Sequence, residues 1–231
     1  MKGLCSILGM ALLLSSCAAQ QEYIASKTLP PGFPESIYLQ SGPQYSVYKI
    51  DPSTSRVLVR VYRGGLMARL GHDHIVASQD LQGYLRVHKN TGACRADFYA
   101  PLATLDVDNQ KFRAAADLDS TPSEADIIGT RGNMLKSLEQ DDYPFVEIHS
   151  KNCSPALNGN ALVLSITLHG ITKTLQLDPI SVQSTETTMT VTGDFSILQT
   201  DFNIEPFSVM NGLIKVQDKL DLSYSITAKR R

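Results

Sequence analysis

Two histidines one residue apart are the most specific chemical signal in the sequence. His72 and His74 flank Asp73 in the run Gly71-His72-Asp73-His74. On a β-strand alternate side chains share a face, with Cα atoms about 6.5–7 Å apart, so both imidazoles could reach one divalent metal ion. The alternative role is local hydrogen bonding, or a place at a pocket mouth. A third metal ligand is not evident nearby, and the fold would have to supply it, from among His88, His149, His169 and Asp80.

A second polar pair flanks a predicted hairpin corner. His169 and Thr172 lie on either side of Gly170-Ile171. In one interpretation the imidazole and the hydroxyl satisfy backbone groups of the turn. In the other they form a polar clamp on a ligand at one end of a barrel, and His169 and Thr172 are therefore candidate ligand contacts.

Motifs of common enzyme classes are missing from the sequence. It contains no GxSxG nucleophile elbow, no HExxH zinc motif, no glycine-rich phosphate loop and no CxxC. The formal net charge is −2, and no basic stripe is present. We therefore expect neither an enzyme nor a nucleic-acid-binding protein.

The elements that must position these residues are short strands. From Tyr45 almost to the C-terminus, apolar and polar residues alternate in short runs separated by turn residues, which is typical of an all-β protein. About eight such strands predict a closed antiparallel barrel with room for one small ligand, and a two-sheet sandwich is the structural alternative. The candidate wall positions of the cavity are Leu85, Phe98, Leu164, Leu222 and Tyr224.

One helical insertion interrupts the predicted strands. Thr121-Pro122-Ser123-Glu124 has the pattern of a capping box with proline at the first helical position. Apolar residues then recur at helical spacing as far as Leu138, although Gly129 and Gly132 weaken the middle and allow two short helices instead.

The N-terminus indicates where the protein works. Lys2 precedes an apolar run from Leu4 to Leu14, so residues 1–16 have the pattern of a secretory signal peptide, too short to span a bilayer. Leu14-Ser15-Ser16-Cys17 resembles the lipobox of bacterial lipoproteins, which makes Cys17 a predicted lipidation site; an ordinary signal peptide cut elsewhere is the alternative. Residues 17–43, rich in proline and polar residues, predict a flexible tether to a domain over residues 44–231.

Cys94 and Cys153 are the cysteines left once Cys5 leaves with the signal and Cys17 is acylated. An even remainder in an exported protein favours one disulfide, with two free buried thiols or metal ligation as alternatives. If the strands flanking the helical insertion pair antiparallel, Cys94 begins the first strand and Cys153 ends the second, so that their register places them opposite each other.

Three segments together resemble the YceI-like proteins. Ser165–Lys173 is similar to the family's LTLHGVTK hairpin, and Met134–Ser137 with Asp142–Ile148 to its HLxSxxFFDxxxYPxxxF stretch. Tyr48–Ser55 resembles the family's first strand. The resemblance covers about residues 45 to 229 and implies a lipocalin-like barrel that binds a long isoprenoid-type lipid in small exported bacterial proteins, often homodimers. Arg131–Leu135 departs from the Asp-x-His-Leu pattern expected there.

Residues and resemblance lead to one leading functional prediction. We expect a non-enzymatic lipoprotein that binds a polyisoprenoid or similar long-chain lipid in a barrel cavity. By resemblance, Ala18 after the cysteine favours the outer membrane, facing the periplasm, over the inner membrane. Two alternatives are an envelope protein that uses His72 and His74 for a metal, quinone or haem, and a barrel with a packed interior that binds a partner.

Overall fold

The structure is a computed structural model, and it describes residues 29–118, 120–157, 160–177 and 180–231. The predicted signal peptide (residues 1–16), the predicted lipidation site Cys17 and residues 18–28 of the predicted tether lie outside the described residues.

Short strands dominate the described chain, as the alternating sequence pattern predicts. The strands are β1 (Tyr45–Ile50), β2 (Arg56–Gly64), β3 (His74–Ser78), β4 (Gln82–His88), β5 (Cys94–Pro101), β6 (Asp106–Val107), β7 (Phe145–Ser150), β8 (Leu162–Leu168), β9 (Ile171–Leu177), β10 (Ile180–Ser184), β11 (Thr188–Leu198), β12 (Ser208–Val209) and β13 (Ile214–Arg230). The helices are α1 (Glu35–Leu39), α2 (Gln110–Ala115), α3 (Glu124–Ser137) and α4 (Ser154–Leu157). Three short 3₁₀ turns lie at Ala68–Leu70, Leu102–Thr104 and Gln199–Phe202.

The strands form eight antiparallel runs that follow one another around a barrel. The first three runs each consist of two strands separated by a bend: β1 with β2, β3 with β4, and β5 with β6. β7 and β8 follow, then β9 with β10, then β11 and the long β13. β13 pairs with β11 on one edge and with β2 and β1 on the other, which brings the last run back to the first. The all-β antiparallel barrel is confirmed.

Closure is incomplete at the sixth run. β9 pairs with β8, whereas β10 pairs with β11, so no single ladder crosses this run along its whole length in the described part of the chain. The upper end of the barrel carries residues 65–73, 108–118, 120–144, 169–170 and 199–213. The lower end carries the turn at residues 89–93 and the disulfide.

One close approach between two paired strands requires a glycine. Gly83 in β4 lies opposite Phe98 in β5 and has a φ of 142°. A Cβ atom at this position would lie 2.3 Å from the carbonyl oxygen of Asp97, so any larger residue would push the two strands apart.

The helical insertion is a single helix. α3 runs unbroken through Gly129 and Gly132 to Ser137. Its N-cap is Ser123, whose side chain accepts a hydrogen bond from the backbone N–H of Asp126, while the Asp126 carboxylate accepts one from the backbone N–H of Ser123. The predicted capping box was therefore placed two residues too early, because Asp126 serves as the N3 partner in place of Glu124.

The prediction of a flexible tether is wrong for residues 29–43. This segment contains α1, which packs on the outside of β4, and both Tyr38 and Pro30 are fully buried. The ring of Tyr38 stacks on that of Tyr84 at 5.3 Å, and the Tyr84 hydroxyl donates to Glu35 at 2.8 Å. Proline and polar composition indicated free chain, but the burial of Tyr38 and Pro30 against the barrel orders it.

The disulfide prediction is confirmed. Cys94 and Cys153 are joined, with Cα atoms 4.9 Å apart. β5 and β7 pair antiparallel, Ala96 opposite Ser150, so Cys94 at the start of β5 comes close to Cys153 just after β7. Both cysteines are buried at the lower end of the cavity described next.

Candidate ligand-binding cavity

The inward faces of the strands enclose an apolar cavity of about 370 Å³. Alternation selects the wall: Val57, Val59 and Val61 of β2 line it, and so do Leu220, Leu222 and Tyr224 of β13. The two sets face the same interior because Leu222 lies opposite Val59 and Tyr224 opposite Val57.

All five candidate wall residues of the sequence analysis lie on this cavity. They are Leu85, Phe98, Leu164, Leu222 and Tyr224. Leu85 lies on β4, Phe98 on β5 and Leu164 on β8. Leu222 and Tyr224 both lie on β13, so the cavity runs across most of the sheet. Their contact with a ligand stays a prediction.

The upper end of the cavity is more polar than its middle. α3 contributes Thr130, Asn133 and Ser137 to the wall there, together with Met134 and Leu138. α3 is held against the barrel by Arg131, whose Nη2 donates to the carbonyl oxygen of Ala103 at 2.6 Å. The apolar middle of the cavity therefore suits the chain of a lipid, and the more polar upper end suits its head.

Two hydroxyl groups in the cavity wall lack a hydrogen-bond partner among the described residues, Tyr224 Oη and Ser78 Oγ. Tyr224 is 9% exposed, and burial, followed by the charge of Asp194, raises its pKa to about 12, so the hydroxyl is protonated near neutrality. A Cβ atom on Gly193, opposite Tyr224, would lie 2.5 Å from this hydroxyl, so the missing side chain at Gly193 makes room for the Tyr224 ring.

The histidine pair lies at the upper end, with an aspartate that the sequence did not reveal. The rings of His72 and His74 are 4.5 Å apart, and His74 Nδ1 lies 2.6 Å from Asp108 Oδ2. His72 Nε2 lies 4.0 Å from the same oxygen. The fold thus brings three metal-ligating side chains together, but the third is Asp108 and none of the four candidates considered from the sequence.

The carboxylate of Asp108 is already well occupied. Its Oδ1 accepts hydrogen bonds from Arg113 Nη1 at 2.5 Å and from the backbone N–H of Ile75 at 3.1 Å, and Oδ2 contacts His74. Burial alone would raise the pKa of Asp108, but the hydrogen bond with His74 and the other contacts outweigh it and hold the pKa below its usual range. Burial, and then the neighbouring His74, lower the pKa of His72.

His169 and Thr172 do not line the cavity. His169 Nδ1 lies 3.0 Å from the carbonyl oxygen of Phe202, and its Nε2 lies 3.2 Å from Glu139. The Thr172 hydroxyl pairs with that of Thr167 at 2.8 Å on the exposed face of the hairpin. Both side chains therefore contact the turn and its neighbours, as in the first interpretation, and their contact with a ligand stays a prediction.

No helix in the described residues is long and apolar enough to cross a membrane.

Comparison with known proteins agrees with the fold. The model of the YceI-like domain family matches residues 48–228. The Burkholderia cenocepacia protein BcnA is structurally similar at 15% identity, with a TM-score of 0.53, over 77% of this chain and 98% of that one. A polyisoprenoid binding domain from Saccharophagus degradans, described as implicated in plant cell wall breakdown, aligns at 14% identity with a TM-score of 0.54, over 80% of this chain and 98% of that one.

No curated protein sequence matches the chain. The two structural likenesses establish the barrel fold, and the family model covers most of the barrel, from β1 into the end of β13. The chain therefore belongs to the YceI-like family.

Proposed function

We propose that this protein is a non-enzymatic lipid-binding protein whose barrel cavity holds a polyisoprenoid or a similar long-chain lipid. The observation that carries the proposal is the apolar cavity of about 370 Å³, a volume typical of small-molecule sites. The Saccharophagus degradans domain, named for polyisoprenoid binding, supports the ligand class. A chain as long as a polyprenol can leave part of its length outside the cavity.

The upper end of the cavity orients the ligand in this proposal. Apolar walls around Phe98, Leu164 and Leu222 hold the chain, and Thr130 and Asn133 of α3 lie where a polar head would be placed. The Tyr224 hydroxyl offers a proton to an oxygen atom of the ligand, since it lacks another partner in the described chain.

The proposed location is the bacterial cell envelope, with Cys17 acylated and the barrel on the periplasmic side of the outer membrane. The sequence of residues 1–17 supports export and lipidation. The Cys94–Cys153 disulfide is consistent with an oxidising compartment. Mass spectrometry of the mature N-terminus tests this part: an unmodified N-terminus downstream of Cys17 contradicts it.

The direct test of lipid binding is native mass spectrometry of freshly purified full-length protein, followed by extraction of the lipid. Ala96→Phe fills the cavity from β5 and should abolish the copurified mass. Ala114→Phe, on the exposed face of α2, is the matched control and should retain it. A protein that folds normally and never carries lipid contradicts the proposal.

Cation binding at His72, His74 and Asp108 is the second candidate function. The observation in its favour is that three ligand atoms lie within 4.8 Å of one another. Arg113 weighs against it, because its buried guanidinium already neutralises the carboxylate. Titration calorimetry with Zn²⁺ on the unmodified protein and on His72→Ala decides: equal heats in the two proteins remove the site.

A further inference from the structure

Two loops meet at the upper end of the barrel. Residues 65–70 follow β2, and the hairpin of residues 208–214 joins β12 to β13. The backbone N–H of Met67 donates to the carbonyl oxygen of Leu213 at 2.8 Å. A Cβ atom at Gly65, whose φ is 90°, would lie 2.4 Å from that same oxygen, so the two loops pack against each other as one surface.

This surface exposes large apolar side chains, which we call the apolar rim. The exposed fractions reach 91% for Leu66, 63% for Leu70 and 58% for Met210. Val209 and Phe207 complete the rim at 40% and 36%. Single exposed apolar residues are ordinary, but five of them on or next to two loops that pack together are typical of a surface that binds an apolar partner.

Basic side chains outnumber acidic ones on the rim itself, and Asp73, Glu205 and Asp218 lie next to it in the sequence. Residues 63–72 and 206–217 contain Arg63, Arg69 and Lys215 and no carboxylate. The Arg63 guanidinium is held by the carbonyl oxygen of Gly71 and by Asp73, whereas Arg69 and Lys215 are exposed. Apolar side chains beside basic ones are typical of surfaces that enter the headgroup region of an anionic bilayer.

The rim is continuous with the cavity. Phe207 belongs to the rim and also lines the cavity, and so does Val216 of β13, whose backbone N–H donates to the carbonyl oxygen of Phe207 at 3.0 Å. An apolar ligand passing between the cavity and a membrane at this end would stay in apolar surroundings. A ligand that left the cavity into water would lose these apolar contacts.

We propose that the apolar rim docks on the phospholipid bilayer that carries the anchor, so that the cavity opens onto the membrane. This inference rests on the proposed lipid-binding function. Chain length permits it: twelve residue steps separate Cys17 from Leu29, which can span at most about 40 Å. The described chain reaches the outer wall of the barrel at Phe33, whose ring packs 5.0 Å from that of Tyr99. The Tyr99 ring also contacts that of Phe145 at the upper end of β7, so this segment meets the barrel near its upper end.

The test uses the full-length mature protein in vesicles of phosphatidylethanolamine and phosphatidylglycerol that contain a lipid with a spin-labelled acyl chain. Met210→Cys carries an environment-sensitive fluorophore on the rim, and Leu39→Cys carries it on α1, where the native side chain is 49% exposed. The unmodified chain measures background labelling. We expect a blue shift and quenching at position 210, and neither at position 39.

A second substitution shows whether the rim causes this contact. Leu66→Glu, added to Met210→Cys, should reverse the blue shift and the quenching, whereas Val163→Glu, on an outward position of β8 that is 50% exposed, should leave both unchanged. Equal signals at positions 210 and 39 would overturn the proposal. So would a dimer in solution that Leu66→Glu dissociates, because the rim would then be a contact between two copies.

Binding of the fluorescent hydrophobe N-phenyl-1-naphthylamine without vesicles separates this inference from the proposed function. Leu66→Glu should bind the probe as the unmodified protein does, since Leu66 is not part of the cavity wall. Normal probe binding without bilayer contact overturns the docking and leaves lipid binding intact. Absence of probe binding in the unmodified protein counts against the lipid-binding function itself.

Discussion

The Tyr38 hydroxyl donates a hydrogen bond to the buried carboxylate of Asp97, 59 residues further along the chain. Asp97 also accepts from Arg95 Nε at 2.6 Å and contacts His149 Nδ1 at 2.7 Å. Burial alone would raise the pKa of Asp97, but the hydrogen bonds with His149, Arg95 and Tyr38 outweigh it and hold the pKa low. One carboxylate on the outer wall therefore fastens α1, and with it the segment that leads to the predicted anchor.

Removing the Tyr38 hydroxyl should loosen this segment. Tyr38→Phe keeps the ring that stacks on Tyr84 but deletes the donor to Asp97, at an expected cost of about 1–3 kcal/mol in the free energy of unfolding. Urea denaturation measures the loss, and limited proteolysis should show faster cleavage within residues 29–43. Tyr143→Phe, at an exposed position, is the matched control; an equal loss in both variants would contradict the role of the contact.

Stability should fall as the pH rises from about 6.5 to 9. The hydrogen bond with Asp97, followed by that with Glu147, raises the pKa of His149 to about 9. A folded-state pKa above the unfolded value means that the contribution of His149 is complete below about pH 6.5 and is lost as the pH passes 9. The loss is at most about 3 kcal/mol. Urea denaturation at a series of pH values measures it, and His149→Gln should flatten the dependence in this window.

At acid pH the stability should instead fall as the pH is lowered. Burial lowers the pKa of His72, so stability that depends on neutral His72 is present above about pH 6.5 and is lost as the pH falls through the folded-state pKa. His72→Gln should reduce this acid-side loss without changing the alkaline slope. If His72→Gln changed the pH dependence of stability equally on the acid and the alkaline sides, His72 and His149 would not act separately.

Two neighbouring residues on β8 allow the cavity wall and the outer surface to be compared by substitution. Leu164 faces the cavity and is 6% exposed, whereas Val163 points outward. Leu164→Ala should cost about 2–4 kcal/mol by deleting buried methyl groups, and Val163→Ala should change stability by less than about 0.5 kcal/mol. Thermal unfolding compares them, and an added lipid should raise the Tm of the unmodified protein more than that of Leu164→Ala.

Reduction of the disulfide should lower the free energy of unfolding of the barrel but leave the barrel folded. Opening the Cys94–Cys153 link, which spans a sequence separation of 59, should cost roughly 4 kcal/mol in the chain-entropy model. Denaturation with and without dithiothreitol measures the change. The double variant Cys94→Ser with Cys153→Ser should unfold early under both conditions, and sensitivity to dithiothreitol in that variant would point to a different cause.

Local sequence patterns predicted the structure where the physical cause acts between residues that are close in the chain. The period of two in β2 and β13 placed Leu222 and Tyr224 on one face of a strand and made them candidates for the cavity wall, whereas only the closed sheet decided that this face turns inward. The same pattern predicted the antiparallel barrel, and the cysteine count predicted the disulfide.

The sequence by itself determined the strands, their apolar faces, the cysteine pair and the family to which the barrel belongs. Tertiary structure alone decided which distant side chains meet: Asp108 under the histidines, Asp97 under Tyr38, and α3 over one end of the cavity. It also ordered residues 29–43, whose composition indicated free chain. The physical reason is that strand patterning depends on neighbours two residues apart, whereas burial of a carboxylate or a tyrosine depends on partners that only the closed sheet brings within reach.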